Sequence, residues 1–264
     1  MTNEIFRFYP AKSSNIGILS IPHSGEVIPE EFQAFLTKDS KSLACDVDYK
    51  VDHLVDIEAL NQAGISVIVS NIHRTCVDLN RSQKDSVLNW KKNSHGVTLV
   101  ENEPDEKQRS ILEAKYHTPY FEMLKTMINK LHKETDKNIS FIDLHSMPSK
   151  PTEYHLKVTP NQPKVRPDFC VSDIEGLSCE KKYIDEVCEL LANFSSAVTQ
   201  NIPYYGGHIT RFINSEYERI NNIQIEISRA IYMDEKEKVL KLDLVDKLKP
   251  NLTKTLIDHF KQSF

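Results

Sequence analysis

Apolar, β-branched segments recur along the chain at Ile16–Ile21, Ile65–Val69, Ile139–Leu144, Asp168–Val171 and Ile223–Ile227, and each predicts a strand. Between them the apolar positions take a helical spacing. Tyr49–Ala63 carries Val51, Leu54, Val55, Ile57 and Leu60 and then meets Gly64 as a stop, which predicts one helix. Glu106–Thr135 predicts a long helix interrupted near Pro119, Ser178–Phe194 a further one, and Lys236–Phe264 another, broken around Pro250. Strands alternating with helices predict an α/β fold with a mostly parallel or mixed sheet. The proline-rich stretch Pro148–Pro167 predicts a long loop over a site. No repeat, low-complexity tract or linker divides the sequence, so one domain over residues 1–264 is expected.

Composition narrows the partners. A net charge of −5 with no basic stripe argues against a nucleic-acid surface, and Lys91-Lys92 is too short a cluster to change that. The five cysteines (45, 76, 170, 179 and 188) are odd in number and show no CxxC spacing, which fits reduced thiols better than a disulfide framework. The start, MTNEIFRFYP, lacks a charged-then-apolar signal pattern, and no apolar run reaches the ~18 residues of a membrane span. A cytoplasmic protein without a membrane partner is expected.

Polar residues interrupt nearly every predicted strand near its end. "ILSIPHSG" places His23 and Ser24 after the first strand, with Gly25 suited to a tight turn. "VSNIHRTCVDLNR" brings His73, Arg74, Asp78, Asn80 and Arg81 after the second. "FIDLHS" ends the third, and alternation puts Asp143 and His145 on one face with Leu144 on the other. "YYGGHITR" supplies His208, Thr210 and Arg211, and "IQIEISR" holds Gln224, Glu226 and Arg229. In open α/β sheets ligands bind at the carboxyl ends of the strands, so these clusters are expected to form one polar pocket.

Two histidines and a carboxylate with a fourth position open are the ligand set of a catalytic zinc site. A separate carboxylate would move the proton, and arginines beside an asparagine would clamp a substrate carboxylate. His23, an acid nearby, His145, Glu226 and the Asn80-Arg81 pair fill these roles. Each has a plainer use: His23 as a capped loop residue, Asp143 as an orienter of a neighbour, Glu226 as a partner for Arg229. His53, His95, His117, His132 and His155 show no pairing and are read as surface or core residues.

"IPHSG", "CDVDYKVDHL", "HRTCVDLNRS", "IDLHSMPS", "PDFCVSD", "GGHITR" and "QIEISRAIYMDE" occur in this order between about Ile18 and Glu235. Together they resemble the N-formylglutamate amidohydrolase family. "DLNR" and "DLH" are also similar to the wider group of zinc carboxypeptidases and N-acyl amino acid deacylases. The resemblance implies a phosphorylase/hydrolase-like, three-layer α/β/α sandwich with a mixed, mostly parallel central sheet and one zinc per chain, another divalent metal being the alternative. It implies His23 and His145 as metal ligands, with Asp48 as the third and Glu26 as the alternative. Glu226 becomes the general base, with Arg74 beside it in the catalytic set. Asn80 and Arg81 become carboxylate binders, and Arg211, Arg229 and Ser24 further substrate contacts. Asp143, two residues before His145 on the same strand face, is expected to orient that ligand.

Two departures from the family pattern stand out. Pro119-Tyr120-Phe121 replaces an expected Pro-Tyr-His, and Ser82–Val100 does not match the loop that follows "DLNR". The expected reaction is hydrolysis of N-formyl-L-glutamate to formate and L-glutamate. The rivals are the same chemistry on another N-acyl amino acid or small peptide, and a non-catalytic binder of an acidic metabolite.

Overall fold

A computed structural model describes residues 5–264. Its centre is a seven-stranded sheet of β1 (Phe6–Tyr9), β2 (Gly17–Ile21), β3 (Ile65–Ser70), β4 (Ile139–Met147), β5 (Phe169–Ser172), β6 (Val198–Gln200) and β7 (Ile220–Ser228), in the order β1-β3-β2-β4-β7-β5-β6. The pairs β3–β2, β2–β4, β4–β7 and β5–β6 are parallel, while β1 on β3 and β5 on β7 are antiparallel. The sheet is therefore mixed and mostly parallel, as expected. The five expected strands all form. The short edge strands β1 and β6 were not expected, because three or four residues carry too little alternation to register.

Helices cover both faces. On one side α1 (Ile57–Gln62), α5 (Lys181–Ala192) and α7 (Leu242–Ser263) pack on Leu19, Ile142, Leu144, Ile223, Ile225 and Ile227. On the other lie α2 (Glu106–Leu112), α3 (Thr118–Glu134) and α6 (His208–Glu216), against Ile18, Ile68, Ile139 and Phe141. Period-two alternation puts Ile142, Leu144, Ile223, Ile225 and Ile227 at the centre of the first face of β4 and β7, with Ser140, Ser146 and Asn221 towards the strand ends. On the second face Phe141 is followed by Asp143 and His145, and Asn222 by Gln224 and Glu226. The apolar lining thus gives way to polar groups towards the strands' carboxyl ends.

Several helix boundaries differ from expectation. The Tyr49–Ala63 periodicity yields only α1, preceded by a 3-10 turn at Val51–Leu54. Asp56 sits extended between them and its side chain accepts from Ala59 N, which starts the helix there. The break expected at Pro119 is a π-turn at Glu113–His117. Pro119 falls in the first turn of α3, where its missing N–H would have no intrahelical partner anyway. Pro250 does not break α7, since Val245, Leu248, Leu252, Leu256 and Phe260 hold the helix on the core either side of it. Lys236–Leu240 is instead part of a hairpin, β8 (Met233–Asp234) with β9 (Val239–Leu240). The stretch 148–167 is a connecting loop that encloses one short helix, α4 (Glu153–Val158). Among the described residues no helix is long and apolar enough to cross a membrane.

Candidate active site

The parallel register builds the site in rows. Ser20 on β2 lies beside Asp143 on β4, which lies beside Gln224 on β7; one step closer to the carboxyl ends, His145 lies beside Glu226. The lower row supports the upper. Asp143 Oδ2 is 2.7 Å from His145 Nε2, while its Oδ1 accepts from Ser20 Oγ at 2.7 Å. Ser20 Oγ is in turn 3.0 Å from the Tyr120 hydroxyl on α3. Gln224 donates through Nε2 to Glu226 Oε1 at 2.8 Å, and its own carbonyl accepts from Gly207 N at 2.7 Å, which fixes the amide's orientation.

His23 follows β2 and is 1% exposed. Gly25 beside it has no positive φ; the need for glycine is close approach, because a Cβ there would lie 2.4 Å from the Asn71 carbonyl carbon. The His23 carbonyl accepts from Asp48 N at 3.3 Å, so the loop carrying Asp48 is tied to His23 by its backbone. His23 Nε2 lies 2.8 Å from Asp78 Oδ1, matching the pairing of His145 with Asp143. With each Nε2 engaged by a carboxylate, both Nδ1 atoms face Asp48 Oδ2, at 3.6 Å from His23 and 3.1 Å from His145. The donor atoms of His23, Asp48 and His145 all fall within 4.8 Å of one another, and His23 Nδ1 has no hydrogen-bond partner. Two imidazole nitrogens and a carboxylate oxygen, buried and each held from behind, are a donor set suited to a divalent metal.

The electrostatics follow from burial and pairing. Burial alone would raise the Asp48 carboxyl, but the hydrogen bond with His145, the neighbouring His23 imidazole and the Arg74 charge hold it well below the usual carboxylate range. For Asp78 burial is likewise overcome by the charges of Arg74 and His23 and by bonds from His23 and from Trp90 Nε1, the last at 2.6 Å. Burial would lower the His145 imidazole, yet the Asp143 charge and hydrogen bond hold it well above its ordinary value. Glu226 moves the other way: burial pushes its carboxyl up to about 8, against the pull of the His145 charge.

His23, Asp48, Arg74, Asp78, Trp90, His145 and Glu226 line one cleft of about 690 Å³, with Asp143 behind it. Residues 17–233 match the N-formylglutamate amidohydrolase family. The chain belongs to that family. It is 26% identical over 235 residues to N-formylglutamate deformylase of Pseudomonas aeruginosa, covering 83% of this chain and 82% of that one. The fold is similar to that of an N-formylglutamate amidohydrolase from Ralstonia eutropha, with a TM-score of 0.81, 22% identity and 99% and 98% of the two chains covered. It is also similar to a gene product of Agrobacterium tumefaciens, with a TM-score of 0.71, 16% identity and coverage of 97% and 96%.

In this amidohydrolase-family chain the expected residues fall into three groups. His23, Asp48, His145, Glu226, Arg74, Asn80, Arg81, Arg211 and Arg229 all line the cleft. Glu26 does not join them, which corrects the alternative third ligand: its carboxylate is 47% exposed and pairs with Lys50. Ser24 is buried without a partner and is not among the lining residues. Arg229, expected on the substrate, is turned to Asp48 Oδ1 at 3.2 Å and to the Cys45 and Asp46 carbonyls, so it holds the Asp48 loop in place. Arg74 spans Asp78 at 3.2 Å and Asp48 at 3.6 Å and stacks on Trp90 at 4.7 Å. Asn80 Oδ1 accepts from Ile209 N at the start of α6, packed so tightly on Gly207 that a Cβ there would lie 2.0 Å from its amide nitrogen.

Sequence reasoning missed Trp90, Ser20 and Tyr120 and gave Asp78 and Gln224 no role. For Asp78 a signal existed: Asn80 N donates to its Oδ1 at 3.0 Å, the local i, i+2 turn that "DLN" favours. In the two departures, Phe121 stacks on His117 at 4.3 Å, whose Nε2 lies 3.2 Å from the Arg81 carbonyl. Within Ser82–Val100, Trp90 and Ser94 close on the site, Ser94 N donating to Asp46 Oδ2 at 2.8 Å.

Proposed function

We propose that this protein is a zinc-dependent amidohydrolase that cleaves N-formyl-L-glutamate to formate and L-glutamate. The observation that carries the reading is the convergence of His23, Asp48 and His145 with the separate acid Glu226 in one cleft. Membership of the family and the name of the Pseudomonas aeruginosa relative support the substrate.

His23 Nδ1, His145 Nδ1 and an Asp48 oxygen would hold the metal. Zinc in such a site supplies a Lewis acid that polarises a carbonyl and makes water a better nucleophile near neutral pH. Glu226 is the base: its Oε1 takes the Gln224 bond, which leaves Oε2 to accept the water's proton and pass it to the amide nitrogen as the C–N bond breaks. Hydrolysis balances with one water, giving formate and the free amine. Asn80 and Arg81 hold the α-carboxylate at the mouth, where the Arg81 side chain is 54% exposed. Arg74, which lines the cleft between Asp78 and Asp48, steadies the negative charge that develops on the amide oxygen.

A metal analysis of the purified protein, followed by formate release from a panel of formyl, acetyl and succinyl amino acids, tests this. Formate from N-formyl-L-glutamate that is abolished by chelation and restored by Zn²⁺ is the expected result. Tight binding of the substrate without turnover in the metal-loaded protein would leave only an anion-binding role.

A further inference from the structure

The arginines of the cleft are not equivalent. Arg74 and Arg229 are taken up by the buried carboxylates Asp78 and Asp48. Arg81 and Arg211 are exposed, so water screens their charge. Arg166, near the end of the 148–167 loop, is different: it lines the same cleft yet is only 4% exposed. A guanidinium at that depth is ordinarily paired with a carboxylate. Among the described residues Arg166 makes no ion pair. Its Nη1 donates to the Pro148 carbonyl at 3.3 Å and its Nη2 to Gln162 Oε1 at 2.7 Å, both neutral acceptors, while its buried Nε has no hydrogen-bond partner. The Tyr204 ring, also in the cleft lining, lies 5.2 Å from the guanidinium carbon. Arg166 is thus oriented by its neighbours, aimed into the reaction cleft, and uncompensated in charge. Such a burial is offset only when an anion arrives.

We propose that Arg166 binds the second carboxylate of the substrate, the one at the end of its side chain, and so sets the preference for acidic N-acyl amino acids. The inference rests on the amidohydrolase reading and deepens it. An N-formyl dicarboxylic amino acid carries two anionic ends. Asn80 and Arg81 take the α-carboxylate at the mouth, and the scissile amide sits at the His23–Asp48–His145 group. That leaves the side-chain carboxylate for the one buried cation without a counter-ion among the described residues. The planar guanidinium, with Nε and further N–H groups still available, suits a bidentate carboxylate contact. A neutral amide at the same place would leave the Arg166 charge unmatched, which is how a site rejects a near-isosteric competitor. Arg166 also ties the loop to itself through Gln162 and Pro148, so a merely structural role must be separated from this one.

The test is the ratio of kcat/KM for N-formyl-L-glutamate to that for N-formyl-L-glutamine, by formate release, in the metal-loaded wild type, Arg166→Met and Arg166→Lys. The wild type should favour glutamate by at least about tenfold. Arg166→Met should lose about 10- to 100-fold on N-formylglutamate, the range for a charge-assisted contact, and change much less on N-formylglutamine. Arg166→Lys should recover part of the ratio, and it carries the same comparison if Arg166→Met does not fold. A variant that lowers both substrates alike would make Arg166 a loop-positioning residue, and an unchanged ratio would remove it from recognition; either overturns the proposal. If the wild type hydrolyses neither substrate, the amidohydrolase reading itself fails. Calorimetric binding of glutarate then decides separately: affinity at least about tenfold weaker in the variants supports the carboxylate site, and equal affinity sinks it.

Discussion

Glu226→Gln separates catalysis from stability, because the same buried carboxyl is asked to do opposite things in each. The substitution keeps the volume, and the new amide oxygen can still accept from Gln224 Nε2, the 2.8 Å bond of the native chain. It removes the carboxylate that shares the cleft with His23, Asp48 and His145 without belonging to that triangle. A general base contributes about 10²–10⁴-fold, so kcat should fall at least ~100-fold while bound zinc is retained. Stability should move the other way. A folded value of about 8 against about 4.3 in the unfolded chain means that folding at pH 7 must protonate this carboxyl, a cost of order 3 kcal/mol in the metal-free protein. The folded pKa is the higher one, so the cost is absent below about pH 4, grows between about 4 and 8, and is constant above. Glutamine does not titrate and escapes it. Urea unfolding of the chelated proteins should therefore show Glu226→Gln more stable by roughly 2–4 kcal/mol at pH 7 and little different near pH 4.5. A variant with normal turnover would pass the base to another residue, and one that sheds its zinc would make Glu226 a ligand. A variant less stable at pH 7 than the wild type would refute the buried-charge argument.

Arg81→Lys keeps the charge but loses the guanidinium fork, so kcat/KM should fall by roughly 1.5–3 kcal/mol, the range for charge-assisted hydrogen bonds; unchanged kinetics would remove Arg81 from the site. Asp143→Asn should weaken Zn²⁺ affinity by ~10-fold or more, measured against a competing chelator, because it loosens the hold on His145 Nε2; full affinity would reduce Asp143 to a core residue. His145 in the metal-free protein is held well above its ordinary value by Asp143 in spite of burial, so a metal must displace its proton. Apparent Zn²⁺ affinity should then rise about tenfold per pH unit around neutrality, and a flat profile would contradict the assigned ligand. Asp78 is held well below the usual carboxylate range, so its stabilisation is complete above about pH 4 and is lost as the pH falls through its folded value. Asp78→Asn should accordingly flatten the drop in melting temperature between about pH 4 and 2, and an unchanged drop would assign the acid sensitivity elsewhere.

Two-residue alternation already carries the layers of the sheet and the polar groups at its strand ends. In β4 and β7 a two-residue period fixes Leu144, Ile225 and Ile227 on one face and Asp143, His145, Gln224 and Glu226 on the other. That alternation is local geometry, so it is legible without a fold. The strand-end histidines, the "DLNR" run and the odd acid Glu226 were legible for the same reason: such groups are costly to bury unless they bond something. Register and loop closure were not legible. That His145 stands beside Glu226 depends on how β4 pairs with β7, and two strands about 80 residues apart can slide past one another on paper without changing either pattern. That Asp48 and not Glu26 lies beside the two histidines follows from a backbone bond from Asp48 N to the His23 carbonyl and from Arg229, which arrives from the end of β7 to hold the Asp48 loop. Arg166 was invisible in sequence because nothing in "KVRPD" tells a solvated arginine from a buried one. That it has no counter-ion among the described residues is a property of everything folded around it, which chain folding alone assembles.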